Sequence, residues 1–188
     1  MAYVVTPDGV PIYYEDEGPR SSSAIFLIHG EPFNSKFWCK NIPEIAREIR
    51  VVAVDIRGRG ESGKTDDGQT LEQHAVDFRY VLECLGLNKV VAVGWSMGAA
   101  IIWSYIQKYG EDRIVGFVDV DQRPYRFISY DDFQNRLVPI RSSRLENHRK
   151  AIIDYFGPEA KIDDDLVDWM AYECMKTPTS AHMAAAYE

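Results

Sequence analysis

Three short runs of wholly apolar, largely β-branched residues constrain the fold most: "AIFLI" at Ala24 to Ile28, "VVAV" at Val51 to Val54 and "VVAVG" at Val90 to Gly94. Strands that alternate apolar and polar residues cover one face of a sheet, whereas continuous apolar runs of this length belong to strands buried on both faces. Between and after these runs the period changes to that of helices. Leu71, Ala75, Phe78, Leu82 and Leu85 form one stripe ending at Gly86, with Thr70 three residues before Gln73 as a capping box. "MGAAIIWSYIQKYG" predicts a helix closed by Gly110, and "IVGFVDVD" at Ile114 to Asp121 a further strand. Phe37, Ile42, Ile45 and Ile49 predict a helix over residues 34–48, interrupted by Pro43. "YVV" and "PIYYE" around "TPDG" read as an opening hairpin. Strands alternating with helices imply βαβ units, so the expected class is α/β, a mostly parallel sheet with helices on both faces.

Past Pro124 the sequence turns polar and helix-prone, giving an expected division into a core at 1–124 and a helical cap-like region at 125–188. Asp163, Asp164 and Asp165 read as an N-cap and acidic first turn rather than a metal site, since calcium loops need alternating ligands and a glycine. With 188 residues, 46% of them hydrophobic, the chain can bury a sizeable core. Its formal charge of −8 disfavours a nucleic-acid partner. Three scattered cysteines suit a reducing compartment. No signal-peptide pattern and no 18-residue apolar run is visible, so the expectation is a cytoplasmic protein without a membrane partner.

Two stretches carry chemistry. Gly94-Trp95-Ser96-Met97-Gly98 fits G-x-S-x-G, a nucleophile elbow that lifts a serine above the strand ends, with glycines where a β-carbon has no room. One strand earlier, "LIHGEPF" ends in His29-Gly30. In an elbow-type site one oxyanion donor is the N–H after the nucleophile, Met97, and the second comes from this loop, where Glu31 is the candidate, provided that its carboxylate turns away from the developing charge. His29, directly before the loop glycine, is read as bonding the loop from inside rather than as a base. Gly58 to Gly63 matches G-x-G-x-x-G, but a polar loop follows where a dinucleotide site needs a helix, so it is read as a connecting loop.

"HGEPFNSKFW", "VVAVDIRGRGES", "VVAVGWSMGAA" and "VDVDQRP" occur in an order and spacing that resembles the α/β-hydrolase fold family, over Tyr3 to about Pro124. The flavour is similar to small carboxylesterases and cofactor-free perhydrolase or haloperoxidase-like enzymes. "HGEP" is also similar to haloalkane dehalogenases, which place an aspartate where this chain has Ser96. The resemblance implies acyl transfer from a small-molecule ester to water, with no metal or organic cofactor. It also implies an acid and a histidine after the last two strands, yet the sequence ends at Glu188 in cap-like helix. Asp121, at the end of the sixth predicted strand, is the candidate acid, with Asp119 on the same strand face. His74 reads as helical, His148 as an exposed helix position and His182 as near a fraying terminus. Three readings stay open: an ester hydrolase that is a fragment or is finished elsewhere, a catalytically silent binding or interaction module, and an enzyme that pairs Asp121 with His148 or His182 of this chain. Tyr125, Phe127, Tyr130, Phe133 and Trp169 suggest an apolar acyl or alcohol pocket, with packing of the cap on the sheet the reading preferred for most of them.

Overall fold

The structure is a computed structural model that describes residues 2–122, 145–157 and 159–187. Six strands, β1 (Ala2–Val5), β2 (Pro11–Glu17), β3 (Ser23–Ile28), β4 (Val51–Val54), β5 (Lys89–Trp95) and β6 (Ile114–Val120), form one sheet in the order β1-β2-β4-β3-β5-β6. The β1/β2 hairpin and the β2/β4 pairing are antiparallel. The β4/β3, β3/β5 and β5/β6 pairings are parallel, so the expected mostly parallel sheet is what forms.

Side-chain alternation divides the apolar runs between two faces. Phe26, Ile28, Val52, Val54, Val90 and Ala92 face a core closed by Phe78, Val81 and Leu82 of α2 (Leu71–Cys84) and Ile101, Ile102 and Tyr105 of α3 (Met97–Tyr109). Leu27, Val51 and Ala53, with Ile25 and Val93, face Ile42 and Ile45 of α1 (Ile42–Ile45) on the other side. Both faces are covered, which is why these strands need no polar alternation.

The helix expected over residues 34–48 is instead two pieces, a 3-10 turn at Ser35–Trp38 and the single-turn α1. Pro43 sits in the first turn of α1, where its missing N–H costs nothing; inside one longer helix it would leave a carbonyl of the preceding turn unbonded, so the helix restarts there. Beyond residue 144, α4 (Leu145–Phe156), α5 (Asp164–Cys174) and α6 (Thr179–Tyr187) follow, and Asp163 caps α5 as expected, its side chain accepting from the Asp165 N–H at 2.8 Å. The boundary near Pro124 and the aromatic residues Tyr125, Phe127, Tyr130 and Phe133 lie outside the described residues. Ile152, Val167, Met170, Ala171 and Cys174 of α4 and α5 pack on Phe33, Phe37 and Trp95. Trp169 stacks on Phe37, with ring centroids 5.9 Å apart, so it serves packing.

Candidate active site

From β3 the chain crosses to β4 on one side, and from β5 through α3 to β6 on the other. Adjacent parallel strands whose connections diverge leave a crevice at their carboxyl ends, the place where open α/β sheets bind ligands. The two chemistry-bearing stretches of the sequence end at this crevice, because Ile28 of β3 is in register with Gly94 of β5.

Ser96 joins β5 to α3 at φ 51°, ψ −119°, a left-handed region that ordinary residues avoid. Tight packing holds it there. A β-carbon on Gly94 would lie 2.4 Å from the Ala99 nitrogen, and one on Gly98 would lie 2.3 Å from the Ile28 carbonyl oxygen. Both elbow glycines are therefore required by backbone crowding, as the motif predicts. The Ser96 N–H donates to the Val120 carbonyl at 2.9 Å, tying the elbow to the end of β6. Met97 opens α3, and the first amides of a helix have no carbonyl of their own turn to bond, so they point outward at the positive end of the helix dipole.

The loop after β3 packs directly on the elbow: a β-carbon on Gly30 would lie 3.1 Å from Ser96 Cβ and 3.1 Å from the Trp95 carbonyl oxygen. His29 is fully buried and supports this loop from beneath. Its Nε2 accepts from the Ile56 N–H at 3.0 Å, which fixes the tautomer and leaves Nδ1–H to donate to the Gly30 carbonyl at 2.8 Å. Burial lowers its pKa to about 4, so the ring is neutral near pH 7. Glu31 precedes a cis bond to Pro32. Its carboxylate pairs with Arg59, whose Nε donates to Oε2 at 2.8 Å.

Asp121 is exposed at the end of β6 with φ 57°, next to the Val120 carbonyl that holds Ser96. Asp119 is committed elsewhere, Oδ2 accepting from Trp103 Nε1 at 3.1 Å and Oδ1 from the Gln122 N–H at 3.1 Å. His148 is a correction: the polar neighbours in "ENHRK" suggest exposure, but its face of α4 turns inward and only 8% of it is accessible. Its ring stacks on His182 of α6, centroids 6.2 Å apart, and burial lowers both pKa values, that of His182 to about 4. His74 is also buried, in α2, and its pKa is likewise pushed well down by burial. The Gly58 to Gly63 stretch is the connecting loop expected, but Arg59 within it and Arg57 directly before it are fully buried, and neither has a role in the sequence reading. Among the described residues no cluster of His, Cys, Asp and Glu has the geometry to hold a metal.

A family model described as alpha/beta hydrolase fold matches residues 23–150. The chain belongs to the α/β-hydrolase fold family. The bifunctional esterase/perhydrolase of Acinetobacter calcoaceticus is 33% identical to this α/β-hydrolase over 183 residues, covering 89% of this chain and 66% of that protein. The chain thus spans about two thirds of that relative's length. A bromoperoxidase structure from Bacillus anthracis superimposes with a TM-score of 0.89 at 24% identity, over 98% of this α/β-hydrolase and 72% of that chain. An esterase from Exiguobacterium antarcticum gives 0.84 at 21% identity, over 98% and 71%. These two structural likenesses establish the shared fold. No helix among the described residues is long and apolar enough to cross a membrane.

Proposed function

We propose that this chain carries the nucleophile and oxyanion half of a serine ester hydrolase. The observation that carries the reading is the conformation of Ser96, held at φ 51° between two glycines that admit no β-carbon, with the Gly30 loop packed against its side chain. Strained backbone that its surroundings enforce concentrates at reactive centres. Ser96 Oγ adds to the carbonyl carbon of a small-molecule ester while a base takes its proton. The oxyanion that forms receives the N–H groups of Met97 and Glu31. Collapse expels the alcohol, which takes up the proton, and water then releases the acid from the acyl-enzyme. Asp121 is the proposed acid of the triad. The relative named an esterase/perhydrolase supports ester chemistry as the class. The mechanism requires no cofactor.

His29 is not the base, since both its ring nitrogens are engaged in the loop. That engagement favours a second reading, a silent module that retains the elbow. Labelling with a fluorophosphonate discriminates the two. Rapid modification confined to Ser96, abolished in Ser96→Ala together with ester turnover, is the expected result. A folded protein that labels no faster than free serine excludes the hydrolase.

A further inference from the structure

Arg59 is fully buried, and its guanidinium bonds four residues. Nε donates to Glu31 Oε2 at 2.8 Å, Nη1 to the Arg57 carbonyl at 2.8 Å and to Gln69 Oε1, and Nη2 to the Ala181 carbonyl of α6 at 3.1 Å. The Glu31 carboxylate is buried too, and its Oε1 has no hydrogen-bond partner among the described residues. Burying a pair of charges is a poor way to gain stability, because desolvation offsets most of the attraction and apolar residues of the same size do as well. The position of the pair suggests a different benefit. Glu31 follows Gly30, which lies against Ser96, so its carboxylate is a negative charge borne one residue from the point where the loop packs on the nucleophile, where negative charge is to develop.

The rest of the loop is tied down as well. Thr177 Oγ1 donates to the Pro32 carbonyl at 2.8 Å, and Asn34 Nδ2 donates to Glu173 Oε2 at 2.9 Å. The Ser35 N–H donates to Asp55 Oδ1 at 2.7 Å. Glu31 is the loop residue whose side chain carries charge, and Arg59 is its ion-pair partner.

We propose that Arg59 is a positioning residue of the oxyanion site: it neutralises the Glu31 carboxylate and holds it turned away, so that the Glu31 backbone, not its side chain, faces the reacting oxygen. The same guanidinium joins this loop to α6 through the Ala181 carbonyl, so docking of α6 and the state of the oxyanion loop are coupled. The proposal rests on the serine reading given above.

The full-length protein tests it, with active sites counted by fluorophosphonate titration so that misfolded molecules do not enter the rate. Arg59→Met is expected to lower kcat per titrated site by about tenfold or more, a fraction of the loss known for deleting an oxyanion donor, with KM changed less than threefold. The loss deepens as pH rises and Glu31 ionises. Adding Glu31→Gln to Arg59→Met removes the charge, recovers most of the rate and abolishes that alkaline fall. Unchanged kcat per site in Arg59→Met, or no recovery in the double variant, overturns the proposal. If Arg59→Met does not fold, Arg59→Gln replaces it, keeping a hydrogen-bond donor and losing the charge, and wild-type kcat per site then overturns it. Absence of Ser96 labelling in the unaltered protein refutes the serine reading and the proposal together. Normal labelling with an indifferent Arg59 refutes the proposal alone.

Discussion

Gly98 illustrates how closely single atoms fix this site. Its α-carbon faces the carbonyls of Ile28 and His29, and a methyl group there would meet their oxygens at 2.3 and 2.8 Å. Both obstacles are backbone, so neither yields as a flexible side chain does. Gly98→Ala is expected to destabilise the protein by about 2 kcal/mol or more, in the range of severe overpacking, and to slow Ser96 labelling by pushing α3 off the end of β3. Wild-type denaturation midpoint and labelling rate in this variant would show that the crowding is absorbed. The elbow was legible in the sequence because glycine at a point of close approach leaves a fixed pattern around the serine. The Arg59–Glu31 pair was not legible. Read as an oxyanion donor, Glu31 must turn its carboxylate away, but the cation paired with it sits 28 positions on, in a loop whose glycines suggest something else. His148 was misread because its neighbours Glu146, Asn147, Arg149 and Lys150 are polar, and only the packing of α4 decides which face turns inward.

At the level of elements, α2 is fastened to the loop after β4 by one buried guanidinium. Arg57 donates from Nε and Nη2 to both oxygens of Asp77, each at 2.8 Å, and from Nη1 to Asp8 at 2.6 Å. Asp77 is nearly buried, whereas half of the Asp8 side chain is in water. Asp77→Ala leaves a buried cation with a solvent-screened partner, and a loss of about 3 kcal/mol in urea denaturation is expected. Asp8→Ala is expected to cost less than about 1 kcal/mol. Equal losses from the two would show that burial does not govern this network. The start of α2 was readable from Thr70, whose hydroxyl accepts from the Gln73 N–H at 3.2 Å. The reciprocal half of the capping box does not form, since Gln73 Nε2 turns to Asp77 Oδ1 at 3.0 Å and serves the arginine network instead. Tertiary demand of that kind is invisible in local spacing, whereas the break in the stretch 34–48 is marked in the sequence by Pro43 itself.

For the whole molecule the four histidines act in one direction. Burial lowers the pKa of His29, His74, His148 and His182, and for His29 and His182 the value falls from an ordinary 6.5 to about 4. Between these limits the unfolded chain binds more protons than the native one, so stability is complete above pH 6.5 and is lost as pH falls toward 4. Burial raises the carboxyls of Glu31 and Asp55, which opposes part of this loss. Asp8, lowered to about 2 by its bond to Arg57, adds its own loss only below the ordinary carboxylate range. Urea midpoints measured at intervals from pH 8 to pH 4 are expected to hold level and then decline through this window, with a shallower decline in His182→Gln. A flat profile to pH 5 would contradict the burial of these rings. The parallel sheet was legible as a class, because strands covered on both faces must be apolar throughout. Its strand order was not, since pairing between distant segments leaves no local mark.

That pairing has a kinetic side. The loop of Gly30 and the elbow of Ser96 meet only because Ile28 and Gly94 share a rung of the β3/β5 ladder, although 66 positions separate them in the chain. A one-residue slip would shift the elbow by about 3.3 Å along its neighbour and invert every side chain of the strand. No partly folded form with local helices alone can present both halves of the site. During refolding, reactivity at Ser96 should therefore appear after helical signal and together with closure of the sheet, which makes an active-site label a clock for the slowest long-range contact in the molecule.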